Sequence, residues 1–201
     1  MMANRVAVVG HSHVRRLEEH CNGDNLSLNN LQIRFFSRGG LTVPQLFDRD
    51  ILTPLLAFRP QGLVLLIGDN DIQPSSSPHQ IGHSILRAID DIKQACPSIR
   101  FVSISQILPR HAGTSRYYFS GYNDIAFNVN RFLLQECINS ASTTLRLCRY
   151  KEFDFNAARL QINQKLFLRD GVHLNYDGYV TLADRIKGAV IGIHKKLKSN
   201  V

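Results

Sequence analysis

The sequence predicts an α/β protein built on a parallel sheet with helices on both faces. Short apolar segments rich in valine, leucine and isoleucine alternate along the chain with longer segments of helical periodicity, which is the pattern of repeated β-α-β units. Residues 62–67 form an apolar run without any polar side chain, as expected of a strand that is buried on both faces. Parallel pairing follows, because each strand-like segment is separated from the next by enough chain to cross back over the sheet.

Five segments are predicted to be strands. Each is short and contains β-branched or large apolar residues, and glycine, proline or asparagine lies near most of their ends. The predicted strands are residues 5–9, 32–36, 62–67, 99–104 and 145–149.

Five segments are predicted to be helices. Isoleucines recur at helical spacing in the third of them, and Pro44 suits the first turn of the second. Pro54 predicts a kink or an early end of that second helix, and Asn175 suits the N-cap of the last. A polar, aromatic loop over residues 109–121 is expected at the rim of a site, and residues 156–167 are expected to be irregular or a short helix. The predicted helices are residues 12–21, 43–58, 79–95, 123–138 and about 175–198.

Length and composition predict one globular domain over residues 1–201. There are 24 lysines and arginines against 16 acidic residues, a net charge of +8. Such a balance permits a polyanionic partner, either RNA or an anionic membrane surface, without requiring one. The sequence predicts no oligomeric state.

The compartment predicted from the sequence is intracellular, either cytoplasmic or nuclear. No apolar signal segment precedes the first strand, and the longest uninterrupted apolar run, residues 63–67, is too short to span a bilayer. Scattered cysteines without paired or metal-like spacing indicate reduced thiols. These cysteines are Cys21, Cys96, Cys137 and Cys148.

The first strand ends abruptly at Gly10, and Ser12 follows two residues later at the start of a helix. The first backbone N–H groups of a helix have no partner within it, and the helix dipole favours negative charge there. Such a position suits a nucleophile whose reaction passes through an oxyanion. A serine that merely caps the helix is the alternative interpretation.

Three further motifs occur in the expected places. Gly40 follows the second strand, Asn70 follows the third, and an Asp170-Gly-Val-His173 sequence precedes the last helix. In open parallel sheets the ligand binds at the carboxyl ends of the strands, so Ser12, Gly40 and Asn70 are expected to share one site. Each motif alone is typical of a turn or a cap, but all four in this order favour an active site.

These residues suit acyl transfer. His173 can accept the proton of the Ser12 hydroxyl, which is otherwise a poor nucleophile. Asp170 can orient the other ring nitrogen of that histidine. The Ser12 N–H, the Gly40 N–H and the Asn70 side-chain amide can donate to the oxyanion, and the absence of a side chain at Gly40 lets the substrate approach the backbone.

With these four motifs, the chain from about residue 6 to residue 179 resembles the SGNH (GDSL-like) hydrolase superfamily. The resemblance implies a flavodoxin-like, three-layer α/β/α sandwich with five parallel strands. It assigns the catalytic triad to Ser12, Asp170 and His173, and the oxyanion hole to Ser12, Gly40 and Asn70. It implies neither a cofactor nor a metal.

Two features depart from related patterns. His11 stands where the superfamily has an acid before the serine, and His13 follows the serine. No clustered carboxylates or cysteines accompany these two histidines, so we predict that they are solvent-exposed turn residues rather than metal ligands. Val14 replaces the second glycine of the G-x-S-x-G elbow, which disfavours the α/β-hydrolase fold.

The Gly-His-Ser-x-Val-Arg-Arg-Leu segment, residues 10–17, also resembles esterase-type domains of animal retrotransposon (LINE first-open-reading-frame) proteins. The predicted function is a serine esterase that hydrolyses small acyl esters, acetyl or another short chain, through an acyl-enzyme. One alternative is a binding module on the same fold for RNA or anionic lipid, with a weak or vestigial esterase site. Another is a hydrolase of phospholipid or carbohydrate esters, which differs only in the acyl carrier.

Overall fold

A five-stranded, fully parallel sheet forms the centre of the protein. The computed structural model describes residues 4–22, 24–29, 31–112, 119–140, 144–153 and 162–199. The strands are β1 Asn4–Gly10, β2 Leu31–Ser37, β3 Gly62–Leu66, β4 Phe101–Ser105 and β5 Leu145–Cys148. The strand order is β2-β1-β3-β4-β5, the flavodoxin-like order in which the chain reverses direction across the sheet beside β1.

Helices cover both faces of this sheet and make three layers. The helices are α1 Ser12–His20, α2 Arg49–Phe58, α3 Pro78–Ala95, α4 Tyr122–Asn139 and α5 Tyr176–Ser199. Alternate residues of β1 belong to two separate cores: Ala7 and Val9 pack on the side of α2, α3 and α4, while Val6 and Val8 pack on the side of α1 and α5. The sequence prediction of an α/β/α sandwich with five parallel strands is confirmed.

The predicted helix over residues 43–58 is wrong as a single element. A 3-10 helix, Pro44–Phe47, ends at Asp48, whose extended backbone (φ −64°, ψ 145°) precedes α2. The Asp48 side chain makes no capping hydrogen bond to α2; Arg38 forms ion pairs with both Asp48 and Asp50. Pro54 lies inside α2, which nevertheless continues to Phe58.

The ends of the other elements differ by one or two residues from the prediction, and two of them explain how the site is positioned. A Cβ atom on Gly10 would lie 2.2 Å from the Leu66 carbonyl oxygen, so only glycine lets β1 stay paired with β3 and turn directly into α1. Asn175 caps α5 as expected, because its Oδ1 accepts a hydrogen bond from Gly178 N at 3.0 Å.

Two predicted segments fall partly outside the described residues. Of the loop at 109–121, residues 113–118 are not described, and of 156–167 only 162–167 are described, with a 3-10 helix at Gln164–Leu166. The four cysteines form no disulfide with one another. Within the described ranges, no helix combines the length and the apolar character needed to cross a membrane.

Candidate active site

Ser12 is the first residue of α1, directly after the carboxyl end of β1, and it is half-buried. The carbonyl of His11 accepts the N–H groups of Val14 and Arg15 at 2.9 and 3.3 Å, so the helix turns immediately after the serine. Within the described part of the chain, no hydrogen bond uses the backbone N–H of Ser12. That N–H is therefore available to an oxyanion.

Asp170 and His173 are in direct contact. The Oδ2 atom of Asp170 lies 2.6 Å from Nδ1 of His173, and both side chains are partly buried. Burial raises the pKa of Asp170, but hydrogen bonds from the His173 ring and from nearby backbone N–H groups outweigh it and hold the pKa below its usual value. The aspartate is therefore an anion positioned to fix the tautomer of the imidazole, with Nε2 left to face other groups.

The imidazole of His173 lies beside His13, the residue that follows Ser12. Its ring centroid is 6.0 Å from that of His13, in an edge-to-face arrangement. Among the described residues, no hydrogen bond joins the Ser12 hydroxyl to His173. Catalytic hydrogen bonds are often long in ligand-free enzymes and shorten when substrate binds, so the observed placement is compatible with proton transfer.

Gly40 and Asn70 lie in the loops after β2 and β3, as their positions in the sequence predict. Gly40 has a left-handed backbone (φ +73°), and the space where a side chain would stand is open. The Asn70 amide donates one hydrogen bond to the Leu41 carbonyl at 3.0 Å, which connects the two loops and leaves the second amide proton for a ligand.

The prediction that His11 and His13 are solvent-exposed is wrong. Their exposed fractions are 3% and 4%. Nε2 of His11 lies 2.7 Å from Oδ2 of Asp69, and Nδ1 of His13 lies 3.2 Å from the Tyr179 hydroxyl. Buried polar groups are satisfied by partners in the folded chain. Here those partners lie in the loop after β3 and in α5, and Nδ1 of His11 also accepts a hydrogen bond from the His13 N–H in the same turn.

His13 is uncharged in the folded protein at neutral pH. Burial lowers its pKa to about 3, and the nearby His11 lowers it further than burial alone. Tyr179, its partner, has a pKa raised well above its usual value by burial, so this contact joins two uncharged groups. The low pKa makes His13 a weak base, so His173 remains the predicted proton acceptor of the site.

Two residues that the sequence analysis did not single out connect the loops of the site. Arg110 is buried, donates from Nη2 to the Asp69 carbonyl at 3.2 Å, and stacks on the Tyr122 ring at 4.2 Å. His111 donates its backbone N–H to the Gly171 carbonyl at 3.0 Å. Both residues follow the carboxyl end of β4, and this position in the sequence could have indicated that they lie near the site.

Away from these residues, a cavity of about 340 Å³ lies between α4 and the segments that follow β4 and β5. Gln106, Pro109, Phe127 and Arg131 are among the residues that line it, and none of the five predicted site residues does. Over the described ranges, no three histidine, cysteine or acidic side chains converge as a metal site would require.

Comparison with known proteins agrees with this fold. A search of curated protein sequences found no significant match. Among the solved structures that share the fold, three illustrate the likeness at low sequence identity. A GDSL-like lipase from Bacteroides thetaiotaomicron has a TM-score of 0.69 and 18% identity over 96% of this chain and 89% of its own.

The other two are esterases. A carbohydrate esterase family 3 protein from Talaromyces cellulolyticus has a TM-score of 0.66 and 15% identity over 96% of this chain and 99% of its own. An acetyl xylan esterase has a TM-score of 0.62 and 20% identity over 92% of this chain and 99% of its own. The family model for GDSL-like lipase/acylhydrolase matches residues 8–186, which include every predicted site residue. The chain therefore belongs to the GDSL-like lipase/acylhydrolase family.

Proposed function

We propose that this hydrolase is a serine esterase that cleaves short-chain acyl esters with Ser12 as nucleophile. The observation that carries the proposal is the 2.6 Å contact between Asp170 and His173, with that imidazole packed beside His13, the residue that follows Ser12. A serine at a helix N-terminus, a base and an orienting carboxylate are the parts that acyl transfer to serine requires.

In the acylation step, Nε2 of His173 takes the proton of the Ser12 hydroxyl while the serine oxygen forms a bond to the ester carbonyl carbon. The carbonyl oxygen becomes an oxyanion and accepts hydrogen bonds from Ser12 N–H, Gly40 N–H and the free proton of the Asn70 amide. The tetrahedral intermediate then collapses, and the leaving alcohol receives the proton from the imidazolium. Asp170 stays ionised throughout and stabilises that imidazolium.

In the deacylation step, water replaces the alcohol. His173 accepts a proton from the water as it attacks the acyl carbon, and the same three donors stabilise the second oxyanion. The bond to Ser12 then breaks, the serine oxygen recovers its proton from the imidazolium, and a carboxylic acid is released. The chain's own residues supply every group that these two steps use.

The short acyl chain in the proposal is supported by the structural neighbours. One of them is an acetyl xylan esterase and another is a carbohydrate esterase. Their identity to this chain is too low to transfer the alcohol part of their substrates. We therefore extend to this chain only the acetyl or short-chain acyl group, with the carrier left to be found by experiment.

The decisive experiment measures hydrolysis of p-nitrophenyl acetate, butyrate and octanoate by the wild type and by Ser12→Ala and His173→Ala. We expect acetate or butyrate to be preferred, and turnover to fall by about 10⁶-fold in either variant. Ser84→Ala, at an exposed position in α3, is the matched control and should keep wild-type turnover. Turnover that survives Ser12→Ala would contradict the proposal.

A second candidate, binding of RNA or anionic lipid by a weakly active esterase fold, is favoured by one observation. At the amino edge of the sheet, opposite Ser12, Arg100 and Lys196 pack over the Phe101 ring at 5.9 and 5.7 Å, and the exposed Lys195 and Lys198 lie nearby on α5. Binding to RNA or to anionic vesicles that falls steeply with salt, and that ignores Ser12→Ala, would support this candidate.

A further inference from the structure

A second histidine–carboxylate pair lies beneath the candidate active site, formed by His11 and Asp69. The two side chains come from segments 58 residues apart and meet at 2.7 Å, with only 3% and 5% of each residue exposed. Each member directly precedes a predicted oxyanion donor: His11 precedes Ser12, and Asp69 precedes Asn70. A bond between His11 and Asp69 therefore constrains the distance between Ser12 and Asn70.

Among the described residues, no backbone hydrogen bond joins the segment of Ser12 to the segment of Asn70. The paired register of β1 and β3 ends at Gly10 and Leu66, before either oxyanion donor is reached. Beyond that point, the segment after β1 continues into α1 and the segment after β3 continues into the loop that contains Asp69. The His11–Asp69 contact thus continues, through side chains, the link between the two segments that the sheet ladder can no longer supply.

Both partners are held in a defined orientation. Nδ1 of His11 faces the His13 N–H at 3.5 Å and accepts from it, so Nε2 carries the proton and donates to Asp69. Burial raises the pKa of Asp69, but its interactions with His11, His13 and Arg110 outweigh burial and hold that pKa at about 2. The bond therefore ends on a carboxylate, and such bonds are roughly twice as strong as neutral ones.

The loop around Asp69 is anchored on its other sides as well. Arg110 donates to the Asp69 carbonyl at 3.2 Å, Asn70 donates to the Leu41 carbonyl, and Asp71 accepts the Val43 N–H at 3.1 Å. These contacts fix the loop against the segment after β4 and against the loop after β2. The His11–Asp69 pair fixes the same loop against the segment that carries the nucleophile.

We propose that His11 is a positioning residue whose bond to Asp69 holds the Ser12 N–H and the Asn70 amide in the convergent arrangement that an oxyanion needs. This inference rests on the proposed function. Displacement of a donor by about 1 Å can lower turnover by about 10²-fold, so the effect of losing the bond falls on the chemical step. Ground-state affinity for a small ester depends little on these donors.

Two substitutions of His11 separate this role from simple packing. His11→Gln places an amide N–H near the position of the imidazole Nε2 and can still reach Asp69. His11→Asn places its oxygen near the position of Nδ1, so it retains the cap on His13 N but cannot reach the carboxylate. We expect His11→Asn to lower kcat for p-nitrophenyl acetate by about 10²-fold with KM changed less than about threefold, and His11→Gln to recover kcat to within about tenfold of the wild type.

All rates are divided by the concentration of folded protein, measured from the thermal transition of each variant. A purely structural role predicts equal kcat per folded molecule in all three proteins, and that result would overturn the inference. Equal losses in His11→Gln and His11→Asn would overturn it too. If His11→Asn does not fold, Asp69→Ala replaces it, because it removes the acceptor of the bond from His11. An unchanged kcat in Asp69→Ala overturns the inference.

A measurement without ester turnover tests the geometry itself. Both variants remove the imidazole ring, so they are compared with each other: in ¹⁵N-resolved spectra, the Asn70 side-chain amide should lie at different positions in His11→Asn and in His11→Gln. Identical Asn70 resonances in the two variants would overturn the inference. A wild type without Ser12-dependent turnover would overturn the proposed function and this inference together, whereas Ser12-dependent turnover that is indifferent to His11→Asn would overturn the inference alone.

Discussion

Asp170 holds His173 at two points. One carboxylate oxygen lies 2.6 Å from Nδ1 of the imidazole, and the other accepts the backbone N–H of the same histidine at 2.8 Å. The side chain and the main chain of His173 are thus fixed by a single residue three positions earlier. This arrangement lets the ring turn only by breaking a hydrogen bond to an anion.

Replacing that anion by its amide should stop turnover while leaving the fold intact. In Asp170→Asn the amide can no longer hold the imidazole in the tautomer that accepts a proton from Ser12, and we expect kcat for p-nitrophenyl acetate to fall by about 10⁴-fold. Asp177→Asn, at an exposed position in the first turn of α5, is the control and should keep wild-type kcat. Equal rates in the two variants would refute the orienting role of Asp170.

Loss of the Asn70 amide should lower kcat by about 10² to 10³-fold, because one oxyanion donor is removed. The same change also breaks the bond to the Leu41 carbonyl. Steady-state kinetics of Asn70→Ala should therefore show a fall in kcat with a smaller change in KM. Asn128→Ala, on the exposed face of α4, should match the wild type, and a comparable loss there would show that the effect is not specific to the site.

Adjacent glycines after β2 should respond differently to alanine. Gly40 has φ +73° and Gly39 does not have a left-handed backbone, while a Cβ atom at either position would meet nothing within 4 Å. A left-handed conformation costs an L-residue roughly 1–2 kcal/mol, so Gly40→Ala should shift its own N–H and lower kcat by about 10 to 10²-fold. Gly39→Ala should leave kcat unchanged, and the comparison of the two measured kcat values is the test.

The buried His13 predicts how stability depends on pH. Its pKa is about 3 in the folded protein and near 6.5 when exposed, so below pH 6.5 the unfolded chain binds a proton that the folded chain does not. The free energy of unfolding therefore falls as the pH falls from 6.5 toward 3, by up to about 1.4 kcal/mol per pH unit. Asp69, with a folded pKa of about 2, adds a further loss below about pH 3.8 in the same direction.

Urea titrations between pH 7.5 and 4.5 measure that dependence. His13→Asn keeps an acceptor near Nδ1 and removes the titration, so its free energy of unfolding should vary less with pH than that of the wild type. His79→Gln, an exposed histidine on α3, should retain the wild-type slope. An unchanged slope in His13→Asn would show that His13 is not the group responsible.

Two helical glycines predict stability changes of opposite sign. A Cβ on Gly82 of α3 would lie 2.2 Å from the Phe132 ring of α4, whereas one on Gly188 of α5 would meet nothing within 4 Å. We expect Gly82→Ala to lower the free energy of unfolding by about 1–3 kcal/mol through overpacking. Gly188→Ala should raise it by about 0.5–1 kcal/mol through helix propensity. Thermal unfolding of both variants is the measurement, and changes of the same sign would contradict the packing of α3 on α4.

The central strands were predictable because the apolar pattern that identifies each of them lies within the strand itself. β3 is apolar at every position, so it could be recognised without any knowledge of its neighbours. The break before α2 was not predicted. It lies at Asp48, whose backbone is extended, and Arg38 of the preceding loop pairs with both Asp48 and Asp50. The local periodicity over residues 43–58 contains no trace of that distant partner.

The same distinction applies to the site. Ser12, Gly40 and Asn70 each follow a strand directly, so the topology of a parallel sheet alone places them at one edge. The contact of Asp170 with His173 spans three residues and was also predictable. The burial of His11 and His13 was not, since their partners, Asp69 and Tyr179, lie 58 and 166 residues away, and nothing beside either histidine in the sequence indicates which distant group will satisfy it.

The strand order β2-β1-β3-β4-β5 has a consequence for synthesis on the ribosome. Every strand after the first attaches to an outer edge of those already made, with β2 on one side of β1 and the others extending from the opposite side in turn. A nascent chain can thus enlarge its sheet without breaking any earlier pair, as proteins begin to fold from the N-terminus during translation. Asp170 and His173 emerge after the last strand, so under the proposed function a half-made chain presents Ser12 without the histidine that would activate it, and Ser12 stays inert until the sheet is complete.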